Sequence, residues 1–472
     1  MDAHTLNIAG VSHPAESTDS VINPYTGDTV ALVAQAGPDL VETAISAAVD
    51  AFKILSAWPA HQRAGLLSNT AGGIARRRAE LAASITAEGG KPITQSLGEV
   101  DRAITTFTLA AEEAKRMGGE VIPTDGTPAG EGYVALTRRF AMGPISAISP
   151  FNFPLNLVAH KLAPALAVGC PMVLKPPVQT PLTPLMLGDI VAEAGAPPGA
   201  FTVLPCSVEA AQPLITDARI KMLSFTGSGA VGWHLKGLAG KKRVALELGG
   251  NAAAVVCEGA DLEFAARRIA FGAFSYAGQI CISVQRIFVQ ASVYDDFVAA
   301  LVRETEALTV GDPTDPQTVV GPLIDSAAAE RVACWIKEAE AGGASLLTGG
   351  KRDGNIITPT LLADADAGLK VCCDEVFGPV AVVTRFNTFD DAIARVNDSD
   401  YGLQTGVFTP NLSDAMTAFE QIETGGLIVG DIPTLRFDHT PYGGVKDSGL
   451  GREGVRYAME EMTEQRLMVI RK

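Results

Sequence analysis

The sequence predicts an α/β protein of more than one domain, on three observations. Short apolar runs alternate with helical segments through the middle of the chain, which implies parallel sheets covered by helices. An alanine-rich early region carries apolar residues at helical spacing. With 472 residues, 47% hydrophobic and 19% charged, the chain is too long for one ordinary core and should form two or three domains.

From about Pro38 to Lys115, residues such as Leu67, Ile74, Leu81 and Ile85 recur at spacings that place them on one helix face, a pattern of grouped amphipathic helices. Arg76, Arg77 and Arg78 within it read as a solvated helix face rather than a binding patch. Between Gly118 and Gly143 the texture changes to Pro, Gly, Asp and Thr, with alternation from Tyr133 to Phe140, which predicts a projecting hairpin. Candidate strands follow at Ile145 to Ser149, Met172 to Lys175, Phe201 to Leu204, Lys221 to Phe225 and Arg243 to Leu246. A second α/β stretch from about Ala252 to Pro441 has candidates at Arg286 to Val289, Val380 to Thr384, Gly406 to Phe408 and Leu427 to Val429.

A net charge of −16 disfavours binding to nucleic acid or to an acidic membrane surface, both of which recruit basic patches, so small-molecule chemistry is expected. The first residues lack a basic region followed by an apolar stretch, and no run of about 18 apolar residues occurs. A cytoplasmic location is the expectation. Seven cysteines without a repeated Cys-x-x-Cys pattern argue against a disulfide scaffold and a zinc knuckle, so no metal site is expected. Cys170, Cys206, Cys257 and Cys334 sit in apolar stretches and are expected to be buried as small hydrophobes, and the vicinal Cys372 and Cys373 to pack rather than to form a redox pair.

Cys281 stands apart, in the polar glycine-containing turn Tyr276-Ala277-Gly278-Gln279-Ile280-Cys281. Upstream, Glu247 lies between Leu246 and Leu248. A thiolate and a carboxylate able to activate water form a covalent-catalysis pair. A cofactor signal follows the strand ending at Phe225, where Gly227, Gly229 and Gly232 match G-x-G-x-x-G at a helix start. Such glycines let the backbone approach a pyrophosphate, whose charge the helix N-terminus favours. Glu247 falls about 20 residues on, where that fingerprint expects an acid for a ribose hydroxyl. Its apolar flanks equally suit a general base of raised pKa, and local sequence leaves both readings open.

Pro150-Phe151-Asn152-Phe153-Pro154, Leu174-Lys175-Pro176, Phe225-Thr226-Gly227-Ser228, Glu247-Leu248-Gly249-Gly250-Asn251, Gly278-Gln279-Ile280-Cys281 and Glu375-Val376-Phe377-Gly378-Pro379 occur in the order seen in the NAD(P)-dependent aldehyde dehydrogenase superfamily, which this chain resembles along nearly its whole length. The ending Pro441-Tyr442-Gly443-Gly444-Val445-Lys446 is similar too. The resemblance implies a Rossmann-like cofactor-binding domain at 1–117 and 144–252, a second α/β catalytic domain at 253–442, and a small β oligomerisation element at 118–143 and 443–472. It implies Cys281 as nucleophile, Asn152 with the Cys281 N–H as oxyanion donors, and Glu247 as the base that activates the hydrolytic water. Lys175 and Glu375 would hold the two riboses, Gly227 and Ser228 would lie near the pyrophosphate, and Phe377 near the nicotinamide.

Many members that prefer NAD carry a glutamate three residues after the lysine matching Lys175, and this chain has Val178 there. The cofactor is therefore NAD or NADP, with NAD slightly favoured by the family at large. Residues around Cys281 and the stretch Asp438-His439-Thr440-Pro441 resemble the lactaldehyde and glyceraldehyde type, and Arg102, Arg436 and His439 are candidate substrate contacts. Arginine suits a carboxylate, a phosphate or a hydroxyl. Arg102 could instead pair with Glu99 or another helix carboxylate. The expected partners are a short aldehyde and further copies of the chain, as a homodimer or homotetramer. Two alternatives are an acylating enzyme that passes the acyl group to coenzyme A, against which Glu247 counts, and a catalytically silent binding or structural protein.

Overall fold

The computed structural model describes residues 4–14 and 17–472. Two large sheets organise it. The first runs in the order Gly449–Leu450, Arg243–Glu247, Met222–Thr226, Ile145–Ile148, Met172–Lys175, Phe201–Val203. Its last five strands are parallel, and only Gly449–Leu450 is antiparallel. In chain order the parallel strands lie 5-4-1-2-3, so the winding reverses between Ile145–Ile148 and Met222–Thr226. In a doubly wound sheet the ligand crevice opens at such a reversal, beyond the carboxyl ends of the strands. Pro150 to Asn152 and Thr226 to Ser228 leave the sheet there.

Side chains alternate to both faces of this sheet. Met172 and Leu174 enter one apolar cluster with the early helices, while Val173 enters another with Val41, Ile45 and Leu214. Burial on both faces explains the nearly continuous apolar runs of the strands. The helix Asn156–Val168 is buried along its whole length, as its lack of a polar face requires.

The second sheet has seven strands in the order Ser345–Thr348, Thr360–Ala363, Val380–Phe386, Val284–Gln290, Ala252–Val256, Gln404–Phe408, Gly426–Val429, parallel except for the first. A third, of three strands, pairs Tyr133–Ala141 with Val121–Ile122 on one side and Thr463–Arg471 on the other. Within 443–472, only Thr463–Arg471 joins that small sheet. Gly449–Leu450 extends the first sheet, and the helix Val455–Glu461 buries Val455, Ala458 and Met459 against the first core.

Two expectations need correction. Leu67, Ile74, Leu81 and Ile85 are all buried, but on two helices, Ala60–Arg76 and Arg78–Gly89, which break at Arg77. Arg77 pairs with Glu80 on its own turn and Arg78 with Asp101 on the next helix, surface ion pairs that fit a solvated face. Cys334 is exposed on the helix Ser326–Ala341, with Sγ 3.5 Å from the Glu338 carboxylate one turn on, whereas Cys170, Cys206 and Cys257 are buried as expected. An apolar neighbourhood in sequence did not put Cys334 on the buried stripe, which Ala329, Val332, Ile336 and Ala339 occupy.

Lys91 and Glu99 form an ion pair with side chains 1% and 0% exposed. The other Glu99 oxygen accepts from the N–H groups of Leu155 at 2.9 Å and Asn156 at 3.0 Å, at the start of the buried helix. Removing one member of a buried pair strands the other charge, at a cost of about 3–5 kcal/mol. Glu99→Gln is expected to lower the free energy of unfolding by that amount in urea titration. Lys91→Met/Glu99→Gln together should cost less than the two single losses summed, and strict additivity would rule out the coupling.

Candidate active site

Cys281, Glu247 and Asn152, which lie far apart in sequence, line a single cavity of about 450 Å³. Gly227, Ser228, Glu375 and Phe377 line it as well. Glu247 ends its strand beside Thr226, and Gly449 pairs with it from the other side. Beyond it the chain passes through a gap that only glycine fits. A Cβ on Gly249 would stand 2.2 Å from the Glu375 carboxylate, and one on Gly250 would stand 2.4 Å from the Cys281 carbonyl oxygen.

The nucleophile turn is strained. Tyr276 and Ala277 take left-handed conformations at φ 51° and 52°, followed by Gly278 at 69°. For residues with a Cβ this costs on the order of 1–3 kcal/mol each, so surrounding contacts must enforce it. The Tyr276 hydroxyl donates to the Gly89 carbonyl at 3.0 Å. The Gln279 side chain accepts from Ile324 N–H at 2.9 Å and donates to the Pro322 carbonyl at 3.3 Å. The Asn152 amide donates to the Gln279 carbonyl at 2.8 Å, which fixes its orientation because that carbonyl can only accept. The Cys281 N–H donates to no group among the described residues.

Cys281 is half-buried, with Sγ 3.1 Å from the Tyr442 hydroxyl. Burial pushes its thiol up to about 11, opposed by the Tyr442 hydrogen bond and the Arg436 charge and reinforced by Glu375 and Glu247. Burial and the negative Glu453 hold the Glu247 carboxyl well above the ordinary carboxylate range, against Arg436, Lys161 and Arg452. Glu453 goes the other way. Against the cost of burial, Lys161 and Arg436 bring it down to about 2, through contacts of 3.1 Å and 3.0 Å. Paired carboxylates with diverging pKa values are an acid–base signature, the raised one being suited to take a proton.

The groups on the cofactor side suit a dinucleotide. Ser228 begins the helix Gly229–Leu238 without capping it, and the buried Thr226 hydroxyl on the cavity wall has no partner among the described residues. A free helix N-terminus and an unpaired hydroxyl suit a pyrophosphate. A Cβ on Gly227 would stand 2.6 Å from the Phe225 ring and one on Gly232 2.4 Å from Leu248, so these two glycines serve close helix–strand packing. Burial pushes Glu375 up to about 7, although Gly250 N–H donates to it at 3.0 Å. Phe377, at φ 45°, meets Phe151 edge-on at 5.8 Å. Lys175 ends its strand half-buried, and Val178 is exposed nearby.

Arg102 does not pair with Glu99. It reaches Asp438 at 2.6 Å, and His160 meets the same carboxylate at 2.9 Å. The Arg436 guanidinium lies 3.7 Å over the Tyr442 ring, and its Nε is buried without a partner among the described residues. Arg436 thus stands one side chain from the nucleophile. His439 is exposed, its ring 6.2 Å from that of Phe437 and free of hydrogen bonds to the described residues. Sequence reasoning missed Tyr442, Arg331 and Trp335, the last two lining the cavity from the helix Ser326–Ala341. Tyr442 sat inside a quoted motif and its hydroxyl was the available signal; the helix pair carried none.

Known proteins resemble this chain over nearly its whole length. The profile of the Aldehyde dehydrogenase family matches residues 12–468. A 3-sulfolactaldehyde dehydrogenase of Priestia aryabhattai is 46% identical over 95% of this chain and 94% of its own. The crystal structure of aldehyde dehydrogenase 21 from Physcomitrella patens, in complex with the reaction product succinate, superposes with a TM-score of 0.98 at 43% identity, over 99% of this chain and 98% of that one. That of glyceraldehyde-3-phosphate dehydrogenase GapN from Methanocaldococcus jannaschii, complexed with NADP, gives 0.93 at 38%, over 97% and 100%. The chain belongs to the aldehyde dehydrogenase family and is an NAD(P)-dependent aldehyde dehydrogenase.

Proposed function

We propose that the enzyme oxidises a short aldehyde with an anionic group at its far end to the carboxylic acid by a hydrolytic route. The observation that carries this is the shared cavity of Cys281, Glu247 and Asn152, with Arg436 one side chain behind the nucleophile. Cys281 as thiolate adds to the aldehyde carbon, and the carbonyl oxygen gains the charge. The second N–H of the Asn152 amide and the unengaged Cys281 N–H are the donors for it, each typically contributing about 10²–10³ in rate. When bound, NAD(P) supplies the hydride acceptor, and Gly227, Ser228, Lys175, Glu375 and Phe377 would hold it. Glu247, its carboxylate destabilised by burial and Glu453, takes a proton from the water that cleaves the thioester, and the acid leaves as Cys281 is released. Glu247 is thus read as the base rather than a ribose ligand.

Relatives named for sulfolactaldehyde and aspartate semialdehyde, and one solved with succinate, share a negative group remote from the aldehyde. Arg102, which pairs with Asp438, and Arg436, which pairs with Glu453, are read as the cations that receive it. Hydrolysis rather than coenzyme A transfer is the reading, because a buried base of raised pKa serves water. With Val178 in place of a carboxylate, both NAD and NADP are accepted. The exposed Leu467, Met468, Val469 and Ile470 on the edge strand Thr463–Arg471 favour assembly into a homodimer or homotetramer, since such an edge left in water invites aggregation.

Cys281→Ser is expected to abolish aldehyde-dependent NAD(P)H formation. Glu247→Gln should release one equivalent of NAD(P)H per site in a burst and then stall; full steady turnover without coenzyme A would remove Glu247 as the base. Arg102→Gln should raise KM by about 10–100-fold for an aldehyde with an anionic tail, from the roughly 1.5–3 kcal/mol of a charged hydrogen bond, and leave lactaldehyde nearly unchanged. Equal losses on both substrates would count against an anion-reading role. Val178→Glu should lower kcat/KM with NADP about five- to tenfold relative to NAD, from roughly 1 kcal/mol of exposed like-charge repulsion. An unchanged cofactor ratio would place the 2′-position elsewhere.

A further inference from the structure

We propose that the Tyr442 hydroxyl is the dedicated hydrogen-bond donor to the Cys281 thiolate, a positioning group that holds the nucleophile between turnovers. This rests on Cys281 being the nucleophile. Its Sγ lies 3.1 Å from the Tyr442 oxygen, the only side-chain hydrogen bond the sulfur makes among the described residues.

Three observations support the assignment. The Tyr442 backbone is clamped, since its N–H donates to the Glu453 carbonyl at 3.0 Å and its carbonyl accepts from Glu453 N–H at 2.7 Å. The ring is 5% exposed and packs with Ile282 and Leu403, so the hydroxyl cannot swing to water. The Arg436 guanidinium covers the ring face at 3.7 Å, and a cation there draws density from the phenol and strengthens it as a donor. Burial and the neighbouring sulfur hold the Tyr442 proton on its oxygen, so a sulfur anion meets a donor and no proton is transferred between them. The other charged groups acting on Cys281 are Glu375 and Glu247, which disfavour its anion, and Arg436, which favours it. Among the described residues, Tyr442 is the one contact that favours the thiolate by direct hydrogen bonding. An arriving carbonyl carbon takes the sulfur lone pair, and the hydroxyl is then free.

The test is the rate of iodoacetamide alkylation at Cys281, followed by peptide mass spectrometry between pH 6 and 10, a displacement of iodide by the thiolate that needs neither aldehyde nor cofactor. Tyr442→Phe keeps the ring and the Arg436 stack and is expected to slow alkylation about three- to tenfold at neutral pH. Losing about one pKa unit of thiolate stabilisation cuts the anion tenfold, and the freed anion is partly compensated by greater nucleophilicity. Placing 3-fluorotyrosine at position 442, a stronger donor of nearly the same shape, should accelerate alkylation above the level of the unsubstituted enzyme. A packing role would leave tyrosine and fluorotyrosine equal, and that equality, or an unchanged rate in Tyr442→Phe, overturns the proposal. The exposed Cys334 and Cys373 serve as internal controls and should react alike in all three proteins. If Cys281 is not the nucleophile, its alkylation leaves aldehyde oxidation intact, an outcome separate from the ranking of rates.

Discussion

The site depends on one buried charge pair. Lys91 and Glu99 lie outside the cavity lining, yet the segments carrying both Asn152 and Cys281 are held through them. Glu99 takes two N–H groups at the start of the helix that follows the Asn152 turn. The Lys91 ammonium sits 3.6 Å over the Phe153 ring, next to Asn152, and 4.7 Å over the Tyr276 ring, within the strained turn that delivers Cys281. Burial lowers Lys91 to about 8, so its charge persists because Glu99 faces it. An apolar pair of equal volume could fill the space. It could not accept backbone N–H groups on one side and grip two aromatic faces on the other.

A second buried set, Lys161, Glu453, Arg436 and Glu247, divides labour between two carboxylates. Glu453 takes contacts from both cations and stays ionised, and its charge then adds to burial in raising the proton affinity of Glu247. Arg436 belongs to this set and to the Tyr442 ring at once, so the surroundings of Glu247 and of Cys281 share one guanidinium. An arginine is suited to this because its planar group can stack and bond together.

Much of this was legible in the sequence. The five parallel strands of the first sheet and four strands of the second were readable from apolar runs bounded by turns, whereas Ala252–Val256, Ser345–Thr348 and Thr360–Ala363 were not singled out. The phosphate turn after Phe225 was readable from its glycine spacing. The cavity residues came from motifs whose order matched a known family. What escaped depends on distance in the chain rather than on composition. Nothing around Glu99 signals that it accepts from residue 155, and Arg102 showed nearby carboxylates on its own helix while its true partner, Asp438, lies 336 positions away. Gly449–Leu450 is too short to read as a strand. The break at Arg77 escaped because the apolar spacing continues across it, and the exposure of Cys334 because alanine-rich helices hide which face is apolar.

The antiparallel pairing of Gly449–Leu450 with Leu246–Glu247 has a consequence for how the enzyme is made. The strand carrying Glu247 is synthesised near the middle of the chain, yet one of its edges stays open until residues more than 200 positions later are available to cover it. Tyr442, Glu453 and the helix that closes the first core arrive in the same late stretch. Domains emerging from the ribosome can fold as they appear, but contacts of such sequence separation must wait and close slowly. Until then the chain holds Cys281, the turn after Phe225 and most of two cores without the residues that complete the surroundings of Glu247. Completion of the last few dozen residues is what turns a nearly finished fold into an enzyme.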